Sequence, residues 1–122
     1  MMPISESWLN MSSSKMYKVL LQVVVNSLNE ETAKAVQQEL SEMLPQFSYS
    51  PFREQPSLVD CLEFMASAEV TEEQREMLIK TLDRGWDVDE EEDLYWAYGF
   101  NTKPFDPLIY YLQLEFTPLK NQ

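Results

Sequence analysis

Histidine is absent from this chain of 122 residues. That absence excludes Ser-His and Cys-His nucleophile systems, histidine metal sites and the commonest general base. A single cysteine, Cys61, allows no internal disulfide, no dithiol redox pair and no cysteine zinc site. With Val59, Leu62 and Phe64 around it, Cys61 reads as a buried, inert thiol. Two glycines, Gly85 and Gly99, are too few for a phosphate-cradling loop or a dinucleotide fingerprint. Long apolar runs are missing as well: Val19 to Val25 is interrupted by Gln22 and is far too short for a membrane span. The first residues have neither the basic nor the apolar segment of a secretory signal, so a cytoplasmic protein without metal or cofactor is expected.

Basic residues are the scarcest charged class. Nine Lys and Arg face 21 Asp and Glu, giving a net charge of −12. This exceeds the magnitude of roughly 2–8 that keeps a small domain soluble. It also opposes direct contact with nucleic acid or an anionic membrane, because phosphates are bound by Lys and Arg. Ordinary solubility, or a salt-rich host, is one explanation; an acidic face meeting a basic partner is the other.

What is present is enough for one folded domain. Hydrophobic residues make up 44% of the chain and aromatic residues 12%, whereas a disordered acidic chain is poor in both. Residues 1–14, with Pro3, five serines and no periodicity, read as a flexible N-terminal tail, and 15–122 as a single α+β domain. Tyr17, Val19, Leu21, Val23 and Val25 alternate with a mixed set, which predicts a strand with one fully apolar face. Asn29 or Ser27 is placed to cap a following helix, with Glu30 and Glu31 in its first turn and an apolar stripe of Ala33, Val36, Leu40, Met43 and Leu44 ending at Pro45.

Pro51 and Pro56 confine residues 46–57 to an edge strand or an extended loop. Residues 57–70 are ambiguous: Ser57 with Asp60 imitates a helix cap, but Val59, Cys61, Leu62 and Phe64 favour a strand. Thr71 with Gln74 forms a capping box opening a helix over 72–84, and Gly85 fits a left-handed residue closing it. The acidic stretch after Trp86 could open a short helix that Gly99 ends. Leu108, Tyr110, Leu112, Leu114 and Phe116, alternating with Ile109, Tyr111, Gln113 and Glu115, predict a final half-buried strand, free to lie at a sheet edge. The sum is a small antiparallel sheet with two main helices packed on one face, in a ferredoxin-like order.

Carboxylates are numerous enough for an acid–base pair to arise by chance, so their count alone points to no enzyme. A calcium loop fails on inspection. Asp87, Asp89 and Glu91 fit its first, third and fifth positions, but Glu92 replaces the obligatory glycine and Tyr98 the bidentate glutamate.

The distribution of charge is more telling. Residues 1–56 carry a net −2 and residues 57–122 a net −10; from Asp83 to Asp93, seven acids stand with Arg84 alone, a net −6 in eleven residues. Trp86, Tyr95, Trp96 and Tyr98 surround this run. Aromatic anchors beside clustered carboxylates describe a surface for a basic protein. The candidate partner-binding residues are therefore Trp86, Asp87, Asp89, Glu90, Glu91, Glu92, Asp93, Tyr95, Trp96 and Tyr98. The expected function is a non-enzymatic inhibitor of a basic nuclease or nucleic-acid-binding effector, of the toxin-immunity, antitoxin or viral anti-defence kind, its acids standing in for phosphates. The alternative is an acidic chaperone or adaptor that uses strand pairing or an apolar groove; a carboxylate enzyme is the third reading.

Overall fold

A computed structural model describes residues 15–119. The tail expected over 1–14 lies outside the described residues. The elements, in chain order, are β1 (Met16–Val25), α1 (Glu30–Met43), β2 (Ser48–Tyr49), β3 (Arg53–Glu54), β4 (Leu62–Thr71), α2 (Glu72–Leu82), β5 (Asp87–Asp89), β6 (Leu94–Tyr98) and β7 (Ile109–Pro118).

Local chemistry explains why these segments form. In β1 the period-two residues Val19, Leu21, Val23 and Val25 are buried against the helices. Asn29 caps α1 by accepting from the Glu31 amide at 2.9 Å, and Ser27 Oγ accepts from the Asn29 amide at 3.0 Å, so both candidate caps are used. Ala33, Val36 and Leu40 form the buried stripe. At α2 the capping box is complete: the Gln74 amide donates to Thr71 Oγ1, and the Thr71 amide donates to Gln74 Oε1.

The seven strands form one antiparallel sheet in the order β2-β4-β1-β7-β6-β5, with β3 also pairing β4. β4 and β7 flank β1, and both run antiparallel to it. β4 and β7 therefore run parallel to each other, joined across the helical layer by the connection that contains α2. β2, outside β4, runs parallel to β1 and is joined to it through α1. This interleaved β-α-β arrangement is an α+β fold with both helices on one sheet face. The β5–β6 hairpin is an addition that extends the sheet beyond β7.

The strand favoured within residues 57–70 is present as β4, and the apparent cap at Ser57 to Asp60 is a turn in which Asp60 takes φ 61°. Three expectations need correction. The stretch after Trp86 is a hairpin, not a helix: Asp87, Val88 and Asp89 pair with Trp96, Tyr95 and Leu94. The last strand does not lie at an edge, since β7 is held between β1 and β6. Gly85 is not left-handed, because no described glycine has positive φ. The end of α2 is instead closed by Asp83, a carboxylate only 2% exposed. Its Oδ1 accepts from the amides of Arg84 at 2.6 Å, Gly85 at 2.8 Å and Lys103 at 3.3 Å, and its Oδ2 accepts from Thr102 Oγ1 at 2.7 Å. Gly99, rather than ending a helix, passes so close to the Ile109 carbonyl that any Cβ would collide with it.

Candidate functional site

Alternation along the strands gives the sheet two unlike faces. One carries the helices and the core. The other has no helix on it, and cross-strand pairing arranges its side chains in rows. One row runs Ser67, Leu20, Glu115, Leu94, Asp89. The next runs Met65, Gln22, Gln113, Trp96, Asp87. A third runs Glu63, Val24, Tyr111, Tyr98.

The rows divide the ten residues expected at the site. Asp87, Asp89, Trp96 and Tyr98 share the open face, and Glu90, Glu91 and Glu92 are exposed in the turn at its border. Asp89 has a second task, since its Oδ1 accepts from the amides of Glu91 and Glu92 at 3.1 and 3.3 Å and shapes that turn. The other three residues belong to the helix side. Trp86 Nε1 donates to the Ile79 carbonyl at 2.7 Å, and its ring meets Tyr95 edge-on at 6.0 Å. Tyr95 in turn packs edge-on against Phe116 at 6.1 Å.

Asp93, which closes the turn at φ 53°, turns inward to Arg75 of α2. Arg75 Nη2 donates to Asp93 Oδ1 at 2.6 Å and Nε to Oδ2 at 3.3 Å, a fork that locks the hairpin onto the helix. The guanidinium also lies 5.0 Å from the Phe116 ring centre and 5.3 Å from that of Tyr17. Burial works against the charge on Arg75, but the hydrogen bond and charge of Asp93 outweigh it and raise its pKa. Burial, by contrast, raises the pKa of Tyr95, whose charged form is the anion. Trp86, Asp93 and Tyr95 are thus structural, and the surface expected from the sequence is reduced to seven residues.

The open face also holds residues the sequence did not single out. Glu63 is a buried carboxylate on this face, 4% exposed. Its Oε1 accepts from Gln22 Nε2 at 2.9 Å and Gln55 Nε2 at 2.8 Å, and Arg53 Nε donates to its Oε2. The segment between β2 and β4 is thereby pinned over the sheet. Between that segment and the strands lies a cleft of about 180 Å³. Gln22 and Val24 form its floor, Gln55, Ser57 and Leu58 one wall, and Tyr98 and Tyr111 the other. The two tyrosine rings are 4.9 Å apart and tilted, and Phe100 stacks on Tyr98 at 5.6 Å. Burial, and then the nearby Tyr98 hydroxyl, raise the pKa of Tyr111. A period-two reading of β7 already separates Tyr111, Gln113 and Glu115 from the core, and this was the available signal. Glu63 left none, because its neighbours Leu62 and Phe64 hide it in an apolar run.

Among the described residues no group of three or more Cys, Asp or Glu side chains is placed to hold a metal ion, and no helix is long and apolar enough to cross a membrane. Cys61 is buried, and its thiol pKa is raised by burial and then by the charge of Asp60. No protein-family model, curated protein or solved structure matches the chain.

Proposed function

We propose that this chain is a non-enzymatic, acidic binding protein that blocks a basic nucleic-acid-handling protein, using the open sheet face and the tip of the β5–β6 hairpin. One observation carries the reading: a single face presents Asp87 beside Trp96 and Asp89 beside Leu94, with Glu90, Glu91 and Glu92 projecting at its border. Phosphate-binding clefts are lined with Lys and Arg and often with aromatic platforms for bases. Carboxylates spaced along a strand, interleaved with aromatic and aliphatic side chains, offer such a cleft the charge and the apolar contact of a nucleic-acid strand. The charges speed and orient the encounter, while Trp96 and Tyr98 supply desolvated contact.

The adaptor alternative loses its most direct route, since β7 has strands on both sides and cannot accept another. The deciding experiment is capture from source-cell lysate at low salt after nuclease treatment, with wild type beside a variant carrying Asp87→Asn, Asp89→Asn and glutamine at 90, 91 and 92. A basic partner retained only by wild type, released by salt, and prevented from binding its nucleic acid supports inhibition. Equal retention by both proteins overturns it.

A further inference from the structure

We propose that the cleft between Tyr98, Tyr111 and residues 55–58 seats one arginine side chain of a protein partner, an inference that rests on the basic partner proposed above. At about 180 Å³ the cleft is smaller than the roughly 300–1,000 Å³ of small-molecule sites and matches a single long side chain. No charged residue lines it, so nothing inside repels or neutralises a cation. One wall is built from the rings of Tyr98 and Tyr111, and tyrosine rings attract a guanidinium through their π clouds.

The oxygen acceptors are held ready. Gln22 Nε2 donates to buried Glu63, which turns the amide and leaves the Gln22 carbonyl end to accept. Gln55 shapes the wall without accepting from the guest: its Nε2 donates to Glu63, and the amide and hydroxyl of Ser57, each at 2.7 Å, take both lone pairs of its Oε1. Tyr111 donates its hydroxyl to Gln113 Oε1 at 2.9 Å, so its oxygen lone pairs remain for a donor. Few rotamers are lost when a guest enters such a preset wall.

Charge selects the guest. The cleft opens on the face that carries Asp87, in a chain of net charge −12, which disfavours phosphate and carboxylate groups. Arginine fits better than lysine because its planar, weakly hydrated guanidinium stacks on rings and donates in several directions within its plane. Interface hot spots commonly combine arginine with tyrosine in this manner.

The test is an NMR titration of the full chain with N-acetyl-arginine methylamide, its lysine and norleucine counterparts, and oligothymidylate. Expected are saturable shifts of the Gln22 and Gln55 side-chain amides with the arginine probe. Binding should weaken about fivefold in Tyr98→Leu and be lost in Leu58→Trp, which fills the cleft from its loop. A circular-dichroism melt verifies that each variant is folded. Arginine shifts confined to Glu90–Glu92, or identical in all variants, overturn the cleft assignment while leaving the acidic-hairpin reading intact. Equal response to lysine or norleucine overturns the arginine assignment. Tight binding of oligothymidylate at the tyrosines overturns both this inference and the inhibitor reading.

Discussion

Neutralising acids within one run should have unequal effects on stability, because some hold the hairpin and others only charge its surface. Asp93→Asn preserves shape but removes the charge that Arg75 grips. The Arg75 side chain is 15% exposed and that of Asp93 23%, so the pair is mostly desolvated. Removing one partner from a fully buried pair costs about 3–5 kcal/mol. Here solvent reaches both groups, and Arg75 keeps Glu76 at 2.8 Å and its two rings. A loss of about 2 kcal/mol remains after this discount, or roughly 6–10 °C in melting midpoint for a domain of this size. Glu91→Gln, at the exposed tip, should stay within about 0.5 kcal/mol of wild type. Thermal and urea unfolding measure both variants, and a double-mutant cycle with Arg75→Met isolates the coupling, expected at about 1.5–2 kcal/mol. A midpoint for Asp93→Asn no lower than that of Glu91→Gln, or a coupling under about 0.5 kcal/mol, refutes the latch.

Three further outcomes follow from other buried or half-buried groups. Glu39 of α1 has its pKa raised to about 7 by burial, by a hydrogen bond with Asp106, and by the charges of Asp106 and Glu42. The folded state therefore holds this proton more tightly than the unfolded chain, so the contribution is full below about 4.5 and is lost as pH rises through 7. Glu39→Gln should raise the urea midpoint at pH 8 and leave it near wild type at pH 4.5; parallel pH profiles would count against the pairing. Asp83→Ala removes the acceptor of the Arg84, Gly85 and Lys103 amides and leaves the Thr102 hydroxyl only the Tyr98 carbonyl, and should cost about 1–3 kcal/mol, read as a lowered urea midpoint with loss of hydrogen-exchange protection at residues 102–103. Cys61 should react with a neutral thiol reagent only at the rate of global unfolding near pH 7.5, and fast labelling of the native protein would show that its burial is wrong.

Legibility followed the strength of local signals. β1, α1 and α2 were readable because alternation, helical stripes and side-chain caps are properties of neighbouring residues. Thr71 and Gln74 specify their reciprocal bonds within four positions. The β5–β6 hairpin was not readable, for three physical reasons. Its turn lacks the Asn-Gly or Gly-Gly pair that marks most two-residue hairpins, and uses Asp89 as an amide acceptor with a left-handed Asp93 instead. Leu94 to Tyr98 is apolar or aromatic at every position, so no period distinguishes strand from helix. The acidic residues before it also imitate a helix N-terminus. Position in the sheet was equally hidden. β7 is last in the chain, but a strand with aromatic residues on both faces and no lysine within Ile109–Phe116 has the composition of an interior strand.

These limits bear directly on the charge run. From sequence, the seven acids between Asp83 and Asp93 are equivalent, and the net −6 describes one surface. In the fold, Asp83 is buried at the end of α2 and Asp93 is spent on Arg75, so neither projects toward a partner. The acids at the two ends of the run hold the hairpin in position. Those between them, Asp87 and Asp89 on the open face and Glu90–Glu92 at its tip, have few internal partners and repel one another. Such repulsion is kept only at a cost in stability, and an opposing cluster of cations would relieve it. The hairpin thus joins a stabilised base to a destabilised tip. Charge-neutral substitutions at the tip should therefore raise stability while lowering affinity for a basic protein, whereas the same substitutions at its base should lower stability and leave the affinity of the folded fraction unchanged.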